Sequence, residues 1–478
     1  MTGLSVRALA CAVALLAAPR ATAQEADYSQ SYSGISVEME KVQAPVFPSN
    51  EVDISTLGAK GDGVTLCTDA FAQAVKRLSK LGGGTVVVPR GVWLTGPIVL
   101  KSNIRLHVSD GAIIVFSPDK SLYVNEKGKH CVSMIRASKA ENIGITGRGI
   151  IDGNGKYWRV GKRSKVSDVE WNDFKKMGGY ESEDGKLWFP YGLNNVKNVT
   201  DSPEAEESLR YDLVNFRGCK NIIVKDVTIQ NSPRFHLHPC QCENLIIDGV
   251  TVRCPWNAQN GDGIDLSSCR RVIVTRATVD VGDDGICMKA GAGEKGVKEG
   301  PVADVLIQDC KVFRAHGGFV VGSEFSGGIE RLVVRRCSFS GTDTGLRFKS
   351  AVGRGGKIKD MVISDVTMND IKGEAVIFSC TYVDKKYKSV DGGKPASFEL
   401  KPFTPEFSNI LIENVVCRES AIAVKAEGAI FSDKATDESL RTIHGITIRN
   451  STFFYTEADK QLDANSELKL EGVNFLTF

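Results

Sequence analysis

The chain has 478 residues, 42% of them hydrophobic and 25% charged. That composition can bury a large core and excludes a disordered, fibrous or collagen-like protein. A formal net charge of +2 gives no global field of the kind that gathers nucleic acid or an anionic membrane surface, so any grip on an anionic partner must be local.

The first 23 residues carry Arg7, an apolar stretch from Ala8 to Ala18, and Ala21-Thr22-Ala23 before Gln24, the pattern of a secretory signal cleaved after Ala23. The stretch is too short to span a bilayer, and no later run approaches the roughly 20 apolar residues a transmembrane helix needs. A secreted or periplasmic protein without a membrane span is expected. Residues 24 to 50 are polar and Pro-containing and read as a loosely held lead-in.

A single short helix is expected from Thr68 to Leu81, with Phe71, Val75 and Leu78 on one face, a threonine N-cap and Gly82-Gly83-Gly84 as its stop. Because strands follow it, at Thr85–Val88 and 104–108, it suits a cap over the open end of a solenoid. From there one unit recurs, a short apolar strand, a polar step and a second apolar strand: Asn221-Ile222-Ile223-Val224 with Val227-Thr228-Ile229, then Asn244-Leu245-Ile246-Ile247 with Val250-Thr251-Val252. Further copies begin near Asn142, Val272, Val305, Leu332, Met361, Asn409 and Ile446. Repeats of this size, rich in β-branched residues and nearly free of helix, indicate an all-β parallel solenoid over residues 51–478.

Two charged segments interrupt the rhythm, Lys156 to Arg210 and Asp384 to Pro405. They read as loops leaving the solenoid. The first, with Trp158, Arg159, Trp171, Trp188 and Tyr191, is expected to block one end of a groove. Of 13 cysteines, Cys219, Cys269, Cys310 and Cys337 sit at equivalent places beside strands and read as small core hydrophobes. Cys240-x-Cys242 lacks the paired spacing of a zinc site.

Chemistry concentrates at one point of the repeat. Asp262-Gly263-Ile264-Asp265-Leu266 and Asp284-Gly285-Ile286-Cys287-Met288 match in pattern, and the next units carry His316-Gly317-Gly318 and Arg347-Phe348-Lys349. Equivalent residues of adjacent coils lie about 4.8 Å apart, so Asp262 and Asp284 should be neighbours. With Ile264, Leu266, Ile286, Met288, Leu346 and Phe348 inward, Asp265, Lys289, Arg347 and Lys349 point outward. Carboxylates packed this closely force at least one to hold a proton, which places an acid beside bases, the pairing that glycosidic cleavage needs. Arg347 and Lys349 suit a sugar carboxylate.

At these residues the chain resembles the polygalacturonase family, glycoside hydrolase family 28, whose pattern is Asn-Thr-Asp, Asp-Asp, Gly-His-Gly and Arg-Ile-Lys. Here it stands as Asn260-Gly261-Asp262, Asp283-Asp284, Ala315-His316-Gly317 and Arg347-Phe348-Lys349. Gly58 to Gly63, Ile151 to Gly155 and Asn231 to Pro239 look like further landmarks. The resemblance implies a right-handed parallel β-helix that hydrolyses α-1,4-galacturonosyl links of pectin or polygalacturonate with inversion, without cofactor or metal, as a monomer whose partner is a pectic polysaccharide or oligogalacturonide. It implies that Asp283 is the general acid, that Asp262 and Asp284 activate water, that His316 supports the acid, and that Arg347 and Lys349 bind galacturonate, with Lys289 and His238 as further substrate-binding residues. Exo action is expected from the insertion, although the motifs themselves do not fix endo or exo action, and a related pectin-backbone hydrolase, endo-polygalacturonase or rhamnogalacturonan-cleaving, is the alternative. Asp262 argues against the rhamnogalacturonan-cleaving branch; a calcium-dependent pectate lyase and a non-catalytic carbohydrate-binding solenoid are the rival readings.

Overall fold

The computed structural model describes residues 27–124, 130–193, 196–382, 402–429 and 441–478. The repeated unit closes into coils. One 13-stranded parallel sheet collects the first strand of each coil, from Glu51–Asp53 through Lys220–Lys225, Glu243–Asp248 and Arg270–Thr275 to Ser466–Glu471. Twenty-two further strands form a sheet of two ladders, and three short strands of the first insertion, Gly161–Lys162, Tyr180–Glu181 and Leu187–Phe189, form a separate antiparallel sheet. The ladder that matters for chemistry runs Val214–Arg217, Leu237–Cys240, Ile264–Ser267, Asp284–Lys289, Gly317–Ser323, Thr344–Ser350 and Glu374–Ser379, each parallel to the next. This is the parallel β-solenoid expected from the repeats.

The pleat decides what fills it. Inward residues of successive coils stack into one continuous core, in which Ile264, Leu266, Met288, Leu346 and Phe348 are fully buried. Phe348 stacks on Phe378 at 4.4 Å between ring centroids. The start of several strands of the 13-stranded sheet bends through left-handed backbone, and asparagine tolerates it best among residues with a Cβ. Asn103, Asn142, Asn221 and Asn244 all adopt positive φ there and bond to one another side chain to side chain, at 2.8, 3.0 and 2.9 Å.

The capping helix spans Thr68–Lys80, with Phe71, Val75 and Leu78 buried against the first coils. Its N-cap is Cys67, which makes no side-chain cap bond; Thr68 instead accepts the Gly96 amide at 2.6 Å, because the helix start is packed against the next turn rather than exposed. The helix is not single. Short helices also occur at Asp168–Lys176, Pro203–Glu207 and Gly293–Glu299, all in loops, where the strand repeat carried no information. No helix among the described residues is long and apolar enough to cross a membrane.

The lead-in is strapped down rather than loose. Tyr28, Tyr32 and Val42 are buried on the outer face of the 13-stranded sheet, against Ile223, Ile246, Ile273, Leu306 and Val333. Those five outward residues are apolar because they have this cover. Polar ties hold the strap along several coils: Tyr28 donates to Asp248 at 2.9 Å, Asn244 bonds both ways with Gln43, and Arg335 donates to the carbonyls of Ser31 and Ser33. Residues 1–26 and 383–401 lie outside the described residues, and with them the signal segment and nearly all of the second insertion.

The described cysteines are free thiols, and Cys219, Cys269, Cys310 and Cys337 are buried, as small core hydrophobes.

Candidate active site

Ladder register brings the carboxylates together. Ile264 pairs with Ile286 and Asp265 with Cys287, and the Gly263 amide donates to the Asp284 carbonyl at 2.9 Å, so Asp262 lies opposite Asp284 one coil on. The His316 amide donates to the Asp283 carbonyl at 2.8 Å, which stacks His316 on Asp283. His236 is buried, and its Nε2 accepts the Ser232 amide, so its Nδ1–H donates to the Asp262 carbonyl at 2.9 Å; burial pushes its pKa down to about 4. A neutral imidazole thus pins the main chain of Asp262. Gly261 stands where the family pattern has threonine because a Cβ there would lie 3.0 Å from Cys254 Sγ and 3.1 Å from Ala258 Cβ.

The three aspartates differ in charge state. Burial and the charge of Asp265 raise Asp262 well above the usual carboxylate range, against the pull of Lys289. Burial opposes ionisation of Asp284 too, but Lys349 at 2.7 Å, Lys289 and Arg347 outweigh it and hold the carboxyl low. Burial also pushes Asp283 up; the hydrogen bond from His316 at 3.0 Å, with the charges of His316 and Lys349, overcomes burial and Asp284 and keeps it below its ordinary value. Of these three, Asp262 is therefore the carboxyl whose surroundings favour the protonated form in the unliganded protein, as those of its buried neighbour Asp265 also do, whereas those of Asp283 favour the anion. Asp283 is the accessible one: its side chain is 20% exposed, against 4% for Asp262 and 2% for Asp284.

Pointing outward did not mean reaching solvent. Asp265 is fully buried, Lys349 is 6% exposed, and Lys289 is largely covered, because the ladder's loops rise on both sides and seal the strand face. Lys289 bridges Asp262 at 3.3 Å and Asp265 at 3.2 Å, and those carboxylates raise its pKa well above normal although burial lowers it. His238 faces the same groove. Burial lowers its basicity, but its bonds to Asp212 at 2.7 Å and to Cys240 more than offset that and raise its pKa well above the usual value; its Nε2 also meets Ser267 at 2.9 Å. Arg347 touches Asp284 at 3.5 Å. Asp283, Asp284 and His316 offer ligand atoms within 4.8 Å of one another, but a divalent ion there would face Lys349 across Asp284.

Residues not singled out in the sequence also shape the groove, a cavity of about 470 Å³. The Tyr382 ring lies under Arg347, Lys349 and Arg354, 5.1 to 5.8 Å from each cation, and Phe235 lies 4.9 Å from Lys289. Tyr382 falls at the edge of an insertion, outside the repeat, and had no sequence signal. Arg217 on the ladder could have been found by extending the Lys289 column backward: Arg217, Cys240, Ser267 and Lys289 occupy one register position.

The first insertion does not present an aromatic wall. Trp171, Trp188, Leu193 and Val196 form a small core of its own, Trp158 is buried against Tyr123, Arg159 donates to the Ser232 carbonyl at 2.8 Å, and Tyr191 donates to Thr200. Those aromatics build the insertion; what it delivers to the site is Lys165, whose Nζ lies 3.3 Å from His316 Nε2.

Residues 198–425 match the family model described as Glycosyl hydrolases family 28. The chain is 28% identical over 393 residues to the exo-poly-alpha-D-galacturonosidase of Dickeya chrysanthemi, covering 79% of this chain and 64% of that protein's length. Among solved structures, the hyperthermoactive exopolygalacturonase of Thermotoga maritima is 28% identical with a TM-score of 0.69, over 90% of this chain and 94% of that one. The family 28 exopolygalacturonase of Yersinia enterocolitica, 20% identical with a TM-score of 0.63 over 89% of this chain and 78% of that one, shares the fold.

Proposed function

Because the chain carries a glycosyl hydrolase family 28 domain, we propose that it is a polygalacturonase that cleaves α-1,4-galacturonosyl links with inversion, acting from chain ends and needing no cofactor. The observation that carries this reading is the geometry of the site: an accessible Asp283 beside buried Asp262 and Asp284, with Lys289 3.3 Å from Asp262 and Lys349 and Arg347 2.7 and 3.5 Å from Asp284.

Asp283 protonates the leaving oxygen, and Asp284 with Asp262 activates water on the opposite face of the sugar. Substrate binding is what loads the acid. A galacturonate carboxylate seated on Arg347 and Lys349 cancels cations that hold Asp284 low and removes the smaller share that Lys349 adds to His316 in holding Asp283 low, and the sugar ring excludes water from a carboxyl that burial already disfavours as an anion. The proton that Asp262 keeps in the resting site then belongs to the coupled set, and Asp283 takes it. His316, bonded to Asp283 through Nδ1, holds that carboxyl in line. Lys289 and His238 bind the substrate further along the groove. A signal segment ending at Ala23 takes the protein out of the cytoplasm to its polymeric substrate, on which it acts as a monomer.

The test is polygalacturonate with and without chelator. New reducing ends, unaffected by chelator and unaccompanied by ultraviolet-absorbing unsaturated uronides, are expected. An unsaturated product that chelator suppresses would identify a lyase and overturn the reading.

A further inference from the structure

Two cavities meet at the Asp283–His316 pair. Asp283 lines the groove that holds Lys289 and Lys349. His316 lines a second cavity of about 330 Å³ on its other side, with Lys165, Trp256, Arg314, Asp343 and Lys372. The catalytic reading gives this second cavity no part.

Trp256 is 46% exposed, whereas Trp93, Trp158, Trp171 and Trp188, the other four tryptophans, are between 1% and 5% exposed. A large aromatic ring left open at a cavity beside His316 offers an amphipathic surface on which a ring can stack. The main chain holds it against the catalytic turn: a Cβ added at Gly282, next to Asp283, would lie 2.8 Å from the Trp256 carbonyl.

Lys165 supplies the second, independent feature. Arg314 and Lys372 in the same cavity are engaged by Asp280 at 3.5 Å and Asp370 at 2.6 Å. Lys165 has no carboxylate partner among the described residues; its ammonium rests on His316 Nε2 at 3.3 Å. An exposed indole face and an uncommitted ammonium in a cavity at the lower end of ligand-site volumes match two features of one uronate ring, its C–H face and its carboxylate.

We propose that this cavity is a subsite for a single uronate residue, with Trp256 stacked on the ring and Lys165 paired with the carboxylate. The proposal rests on the polygalacturonase reading and deepens it. Subsites then flank the acid on both sides, Lys349 beyond Asp283 and Lys165 beyond His316, and the insertion influences where a chain is cut by supplying a cation rather than an aromatic wall. A bound carboxylate also draws Lys165 off His316 Nε2, so filling the subsite changes the partners of the histidine that orients the acid.

The probe is D-galacturonate, with D-galactose as the neutral control. Binding is measured by calorimetry and located by the ligand-induced change in tryptophan fluorescence, for which Trp256 is the one indole open to a ligand. Galacturonate should give a saturable change in emission that Trp256→Phe abolishes. In calorimetry, Trp256→Phe and Lys165→Met should each weaken galacturonate about tenfold, and galactose should bind the unmodified protein at least that much more weakly than galacturonate. Polygalacturonate hydrolysis by the unmodified protein is followed in parallel. Turnover with galacturonate affinity unchanged in both variants overturns the subsite and leaves the polygalacturonase reading standing; absence of turnover overturns that reading, and the subsite with it.

Discussion

Asp262→Asn should make the protein more stable at neutral pH while removing its activity. Asp262 is 3% exposed, and burial together with the charge of Asp265 raises its pKa well above the ordinary value. A carboxyl with a higher pKa folded than unfolded binds more protons in the native state between those two values. Stability therefore falls as pH rises through that window, which opens at about 3.9. Lys289 at 3.3 Å attracts the Asp262 anion by about 5 kcal/mol at an effective dielectric near 20. Desolvation of several kcal/mol and repulsion from Asp265, Asp283 and Asp284 exceed that attraction, which is why the shift is upward. Asparagine keeps the shape, discards the charge and leaves Lys289 paired with Asp265 at 3.2 Å. A gain of roughly 1–3 kcal/mol at neutral pH is expected, shrinking toward zero near the unfolded-state pKa of about 3.9. Thermal midpoints of both proteins across the acid to neutral range measure it. A variant that melts lower than the parent at neutral pH, or by the same offset at every pH, would refute the reasoning.

Asp283→Asn should lower kcat about 1,000-fold with oligogalacturonide affinity little changed; undiminished release of reducing ends would remove Asp283 from the acid's role. Monogalacturonate as the main early product from polygalacturonate is expected of an enzyme that works from chain ends, and a ladder of intermediate oligomers would show internal cleavage. Tyr32→Ala should cost about 3 kcal/mol, since Tyr32 is 6% exposed against the sheet and its hydroxyl accepts the Val42 amide at 3.2 Å; an unchanged thermal midpoint would mean that the strap contributes nothing to stability.

Most of the solenoid was legible because its two determinants, strand alternation and repeat spacing, are local. Equivalence of Asp262-Gly263-Ile264 and Asp284-Gly285-Ile286 was enough to predict the pairing seen between Ile264 and Ile286, and with it the neighbourhood of two carboxylates far apart in a solvated chain. The strap was illegible for the complementary reason. Tyr28, Tyr32 and Val42 obey no repeat, and their burial depends on outward Ile246, Ile273 and Leu306 hundreds of residues away. The apolar character of those outward positions was visible in the strands, and an unpartnered hydrophobic stripe on a sheet face is the trace such a strap leaves.

The site shows a deeper limit of pattern reasoning. Alternation assigns a direction to Asp265, Lys289 and Lys349, but the protonation chemistry depends on how much water follows them, and water is excluded by loops that the repeat does not describe. Sealed in, Lys289 and Lys349 are not solvated cations waiting for substrate; each is already committed, to Asp262 and Asp265 in one case and to Asp284 in the other. On the proposed reading, a galacturonate carboxylate would therefore compete with Asp262, Asp265 and Asp284 for the same ammonium groups. That competition would couple binding to proton affinity: the more completely a substrate captures Lys349 and Arg347, the less Lys349 stabilises ionised Asp283 and the less both cations stabilise ionised Asp284, and the more readily the exposed carboxyl would take up a proton. On the same reading a neutral sugar in the groove would leave both carboxylates ionised and the acid unloaded, so selectivity for uronates would arise in the chemical step as well as in binding.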